Sequence, residues 1–134
     1  MPNNIPYDPC GHTKLVVSDY KKSFIFYKSL FEDLGYGQVS NKEDHAGWVS
    51  PNGYAVLIAQ AKIQNYPHKH DAPGIHHICL KAISMEEVDQ IYKSLIRKKV
   101  FIFSPPKKHP EFTDKYYNVL FADPDGIKLE VAYY

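Results

Sequence analysis

The feature that most limits what this chain can fold into is that it repeats itself. From His12 it reads His-Thr-Lys-Leu and continues to Tyr27-Lys28-Ser29-Leu30; from His77 it reads His-Ile-Cys-Leu and continues to Tyr92-Lys93-Ser94-Leu95. Both matches are 65 positions apart (77 − 12 and 92 − 27). A second echo sets Trp48 to Val56, with Pro-Asn-Gly inside it, against Phe121 to Leu129, with Pro-Asp-Gly inside it, 73 positions apart (121 − 48). Echoes in the same order, on the same kinds of element, are the mark of an internal duplication. With 134 residues, the chain fits a single domain of two modules that buries roughly two-thirds of its unfolded surface.

Each half parses alike. Alternating polar and apolar residues predict a strand from His12 to Val17 and another from His77 to Ala82, each followed by an amphipathic helix. The first helix presents Tyr20, Phe24, Tyr27, Phe31 and Leu34 three and four residues apart, and Gly35 ends it. The second presents Met85, Val88, Ile91, Tyr92 and Leu95, and Ser84 with Glu87 forms a capping box at its start. Strand-like runs follow: Tyr36 to Asn41, Ala46 to Ser50 and Tyr54 to Gln60, then Val100 to Phe103, Tyr116 to Ala122 and Ile127 to Tyr133. Pro-Asn-Gly and Pro-Asp-Gly mark the turn before each last strand. Module one thus spans about 12–60, a linker 61–74, and module two 75–134. The growth of the offset from 65 to 73 puts eight extra residues in the second half. We assign them to Ser104 to Asp114, read as a loop that borders the cleft and controls access to it.

Strand alternation also sorts side chains by face. His12, Lys14 and Val16 share one face of the first strand, and Leu15 and Val17 face the helix. The same phase places His77, Cys79 and Lys81 on the polar face of the second repeat and turns His76 away from His77. In the last strand Ile127, Leu129 and Val131 form the core face, leaving Lys128, Glu130 and Ala132 opposite. Two histidines at equivalent repeat positions and one carboxylate on the matching face suit Fe, Mn, Ni, Co or Zn and leave coordination sites open. Tyr116 and Asn118 share the inferred face of Leu120 and are candidates to line the cleft, Tyr116 as a proton-transfer group. Lys14 and Lys128 are candidates to hold an anionic substrate group. His45, His68, His70 and His109 fall in predicted turns without ligand spacing and are left unassigned.

Composition narrows the partners. Hydrophobic residues make up 44% and charged residues 23%, a balance that supports a folded core. Sixteen Lys and Arg against 15 Asp and Glu, with Lys21-Lys22, Lys98-Lys99 and Lys107-Lys108 scattered, give no basic stripe for nucleic acid. The N-terminal residues lack a signal-peptide pattern, and no run approaches the ~20 apolar residues that cross a bilayer. A cytoplasmic protein without a membrane partner is expected. Two cysteines, Cys10 and Cys79, do not make a disulfide framework.

The segments His-Thr-Lys-Leu-Val-Val-Ser-Asp with a later Phe-Tyr, Gly-Ile-His-His-Ile, and Asp-Pro-Asp-Gly-Ile-Lys-Leu-Glu resemble, in order and spacing, the vicinal oxygen chelate superfamily of glyoxalases, bleomycin-resistance proteins and extradiol dioxygenases. The resemblance runs from His12 to Tyr134. It implies an α+β fold in which paired βαβββ modules form a curved eight-stranded mixed sheet around a cleft, helices outside. It also implies a divalent metal held by His12, His77 and Glu130, a small-molecule substrate that chelates it through two adjacent oxygens, and a homodimer. The fourth ligand position of glyoxalase I, a Glu, falls on Leu57, which leaves an alkyl group lining the substrate site. Efficient glutathione glyoxalase activity is therefore not expected, and lyase or isomerase-like chemistry on another substrate is favoured. Two other readings stay open: an iron-dependent extradiol-type dioxygenase, although Leu120 stands where those enzymes usually carry Tyr, and a metal-free binding protein of the bleomycin-resistance sort.

Overall fold

The computed structural model describes residues 8–134, so the N-terminal stretch read above for a targeting signal lies largely outside the described residues. The chain divides after Tyr66 into two compact units, each a βαβββ module.

The first unit contains β1 (His12–Val17), α1 (Tyr20–Asp33), β2 (Gly37–Asn41), β3 (His45–Val49) and β4 (Ala55–Gln60). Its four strands form one sheet in the order β1-β4-β3-β2, with β1 parallel to β4 and the other pairs antiparallel. The Asp19 side chain caps α1 by accepting from the Lys22 N–H. At the other end Gly35 takes φ +75°, and Tyr36 N–H to Phe31 C=O and Gly35 N–H to Glu32 C=O close a Schellman turn. The helix buries Tyr27, Leu30 and Phe31 against Leu15, Val17, Trp48, Val56 and Ile58, and the Phe31 and Trp48 rings lie 5.2 Å apart. Burying a side chain of that size contributes about 1.5–3 kcal/mol. Alternation in β1 is as expected: Leu15 and Val17 are buried, and His12, Lys14 and Val16 are exposed.

The second unit repeats the plan with β5 (Ile78–Lys81), α2 (Met85–Arg97), β6 (Ile102–Lys108), β7 (Tyr117–Ala122) and β8 (Lys128–Tyr133), in the order β5-β8-β7-β6. The capping box is present: the Ser84 hydroxyl accepts from Glu87 N–H, and the Glu87 carboxylate accepts from Ile83 N–H. Val88, Ile91 and Leu95 pack on Leu80, Val119, Phe121, Leu129 and Val131. The helix ends in the same Schellman pattern as α1, but with Lys99 at φ +57° where the first repeat has Gly35. A non-glycine residue there carries about 1–2 kcal/mol of strain. The Pro-Asn-Gly and Pro-Asp-Gly turns are equivalent, with Gly53 and Gly126 at positive φ and the Ser50–Tyr54 and Asp123–Ile127 backbone pairs closing them.

Two expectations need correction. The segment from Ser104 was expected to be loop, but β6 continues through Ser104-Pro105-Pro106 to Lys108, and the loop proper begins at His109. Proline lacks an N–H, so it is tolerated where β6 forms the edge of its sheet and the register shifts between Ser104 and Lys107. The first strand of the second repeat was expected to start at His77, yet β5 starts at Ile78, paired with Leu129. His76 and His77 therefore precede the strand, where alternation no longer governs. Among the described residues no helix is long and apolar enough to cross a membrane.

Candidate metal centre

Glu130 lies in β8 between Leu129 and Val131, which the α2 core covers, so its side chain emerges from the opposite face of the second sheet. The residue is 4% exposed, and a carboxylate that closed in must be hydrogen-bonded or paired. Its Oε1 accepts from the Tyr116 hydroxyl at 2.6 Å and from Asn118 Nδ2 at 2.7 Å. Its Oε2 lies 3.1 Å from His77 Nε2. Tyr116, Asn118 and Leu120 alternate onto the Glu130 face of the hairpin, Leu120 directly opposite Glu130 in register.

These neighbours set the protonation of the pocket. Burial, and then the hydrogen bond to Glu130, push the Tyr116 phenol well above its ordinary value, so it holds its proton and donates it. Its ring stacks on Tyr134 at 4.7 Å with 7° between planes, which fixes where the hydroxyl points. Cys79 faces Glu130 across the parallel β5/β8 pair, and burial followed by the Glu130 charge pushes its thiol up to about 12. It is a protonated side chain and not a nucleophile.

The histidines are arranged differently from the alternation rule. His76 does not point away: its Nδ1 lies 2.8 Å from His77 Nδ1, and the two rings meet at 80°. His77 thus offers Nε2 to Glu130 and Nδ1 to His76. Asn118, expected at a cleft surface, is 4% exposed with its amide engaged at both ends, Nδ2 on Glu130 and Oδ1 2.9 Å from His109 Nε2. His109 is the residue that sequence reasoning missed. Its one signal is that it falls in the segment present only in the second repeat. Lys128 lies on the Glu130 face of β8, its ammonium 4.8 Å from the Phe103 ring centre. In the first unit His12 and Lys14 sit on the exposed face of β1, and Lys14 is the register partner of Leu57.

That register settles how the repeats correspond. Lys14 and Gly47 flank Leu57 in the first sheet, and Cys79 and Leu120 flank Glu130 in the second. The pairs interconvert by the two sequence offsets, so Leu57 is the counterpart of Glu130.

Among the described residues no group of three or more His, Cys, Asp or Glu side chains is gathered for a metal. The second unit does provide a donor pair whose chemistry fits one. Two donors sharing an ion at about 2.0–2.2 Å stand about 3.0–3.4 Å apart, and His77 Nε2 and Glu130 Oε2 are 3.1 Å apart. Both also have the outer partners that metal ligands use, His76 behind the imidazole and Tyr116 with Asn118 behind the carboxylate.

The sequence pattern of the Glyoxalase/Bleomycin resistance protein/Dioxygenase superfamily matches residues 10–131, nearly the whole chain. The chain belongs to that superfamily. The chain is 27% identical over 122 residues to the uncharacterized protein YqjT of Bacillus subtilis (strain 168), covering 90% of this chain and 95% of YqjT. It is 28% identical over 120 residues to the metallothiol transferase FosB of Lysinibacillus sphaericus (strain C3-41), covering 90% of this chain and 78% of FosB. The crystal structure of a glyoxalase/bleomycin resistance protein from Albidiferax ferrireducens T118 has the same fold, with TM-score 0.76, 24% identity, and coverage of 92% of this chain and 98% of that one. The superfamily's paired βαβββ modules are thus present here as two four-stranded mixed sheets, each with its own helix.

Proposed function

We propose that this superfamily member is a metal-dependent enzyme that binds one divalent ion through His77 and Glu130, with His12 as the third ligand by its equivalence to His77 in the repeat. The substrate is a small molecule that chelates the ion through two adjacent oxygens, and the reaction is of the lyase or isomerase kind. The observation that carries this reading is the Glu130 carboxylate, nearly buried, with Oε1 held by two donors and Oε2 directed at His77 Nε2. A bound ion supplies Lewis acidity toward a substrate oxygen.

The chain's own groups supply the rest. Tyr116 and Asn118 saturate Oε1, so the carboxylate presents Oε2 without having to reorganise. Tyr116 keeps its proton near neutral pH, which makes it an orienting donor for the carboxylate and weak as both an acid and a base. Lys14 and Lys128 provide cationic side chains for an anionic substrate group. The similarity to a metallothiol transferase supports metal use and adds attack by an external thiol to the reactions worth assaying. Pairing of two copies, implied by the resemblance, belongs to the same proposal.

Elemental analysis of untagged protein, followed by reconstitution with Mn, Fe, Co, Ni and Zn, tests the reading. We expect about one ion per chain. Oxygen uptake with a catechol by the iron-loaded protein would redirect it to the dioxygenases, and failure to retain any of these ions would favour metal-free binding.

A further inference from the structure

Glu130 accepts hydrogen bonds and cannot donate them, so Asn118 must present its Nδ2 to it, at 2.7 Å. That fixes the amide the other way round at its far end: Oδ1 faces His109 Nε2 at 2.9 Å, and this ring nitrogen must carry a proton. Asn118 is 4% exposed. Turned over, it would set its oxygen against the carboxylate oxygen and its NH₂ against an N–H donor, losing two buried hydrogen bonds at once. Glu130 and His109 therefore hold the amide in its working orientation from its two ends, and without the His109 donor only the Glu130 end remains fixed.

His109 is itself firmly held, with a side chain 15% exposed and Nδ1 2.9 Å from the Glu111 carboxylate. Its ring stacks on Phe112 at 5.6 Å and meets the Tyr116 ring edge-on at 5.9 Å, while its backbone N–H bonds Tyr116 C=O at 2.9 Å. The turn from His109 to Tyr116 thus carries one donor to Glu130 directly and steers the other.

We propose that His109 is a positioning residue for Glu130, acting through Asn118. This rests on the reading of Glu130 as a metal ligand. The segment unique to the second repeat is then part of the ligand-holding frame, and any effect it has on substrate access is additional.

The test is Zn(II) affinity of the untagged full chain, measured against a chromophoric chelator, with melting temperature recorded for every variant. His109→Phe, which retains the ring contacts and loses the donor, should weaken Zn(II) binding about tenfold, the lower end for outer partners of metal ligands. His109→Gln should recover most of it, because its carboxamide N–H can reach Asn118 Oδ1. In an Asn118→Leu background, His109→Phe should change affinity by less than about twofold, since the group it acts through is gone. Unchanged affinity in His109→Phe overturns the proposal, as does an equal loss with and without Asn118, which would mean a merely structural role. If wild type retains another of the five ions in place of Zn(II), the same comparison is made with that ion; wild-type protein that binds none of them overturns the metal reading and this inference with it, an outcome distinct from either.

Discussion

Glu130→Gln should keep the fold and lose the metal, whereas Glu130→Ala should lose the metal and much of the stability. The glutamine oxygen can still accept from the Tyr116 hydroxyl and Asn118 Nδ2, and its NH₂ faces His77 Nε2, so every bond around the position can be remade. What disappears is the anionic ligand. Metal affinity should fall by more than the 10- to 100-fold typical of outer partners alone. In Glu130→Ala the two donors are left without an acceptor in a nearly closed space, at about 1–3 kcal/mol each. A total loss of about 2–6 kcal/mol would be a large part of the about 5–15 kcal/mol that holds a domain of this kind together. Chemical denaturation of the metal-free variants and metal titration read the two effects separately. Wild-type metal affinity in Glu130→Gln would remove the carboxylate from the ligand set.

The second large effect concerns Leu57. In the first sheet Leu57 stands between Lys14 and Gly47 as Glu130 stands between Cys79 and Leu120 in the second. The resemblance to glyoxalase I implies a carboxylate at this position that both binds the metal and moves the substrate proton. An alkyl side chain does neither, and general-base assistance is worth about 10²- to 10⁴-fold. Hemithioacetal isomerisation with glutathione and methylglyoxal should accordingly be a trace activity of the wild-type protein. Leu57→Glu should tighten metal binding and raise that activity. Leu57 is half-buried beside Lys14, which offers a new carboxylate a cationic neighbour, so the variant is expected to fold. Efficient glyoxalase turnover by wild type, or a folded Leu57→Glu with unaltered metal affinity, would count against the assignment.

Much of this architecture was legible because duplication and alternation are regularities of the chain itself. The Pro-Asn-Gly and Pro-Asp-Gly turns located the last hairpin of each module, and period-two alternation put Leu129 and Val131 in the core and Glu130 on the other face. It failed where a regularity stopped. His76 and His77 lie before β5, so their rings meet instead of diverging. Pro105-Pro106 read as loop because proline opposes a central strand, but β6 is an edge. His109 was invisible because it reaches Asn118 across a hairpin whose register shifts twice, and such shifts leave no periodic trace in sequence.

In the proposed function His77 and Glu130 hold the metal, and the two adjacent histidines separate a ligand from its outer partner. His77 Nε2 faces Glu130, whereas His76 contacts only the far nitrogen of His77 within this chain of bonds. Metal content and affinity should therefore be measured side by side for untagged wild type, His77→Ala and His76→Ala, reconstituted under the same conditions. Wild type should hold about one ion per chain, His77→Ala should lose nearly all of it, and His76→Ala should retain it with about 10- to 100-fold weaker binding, the loss of an outer partner. Stoichiometric metal in His77→Ala, or its abolition in His76→Ala alone, would remove His77 from the ligand set.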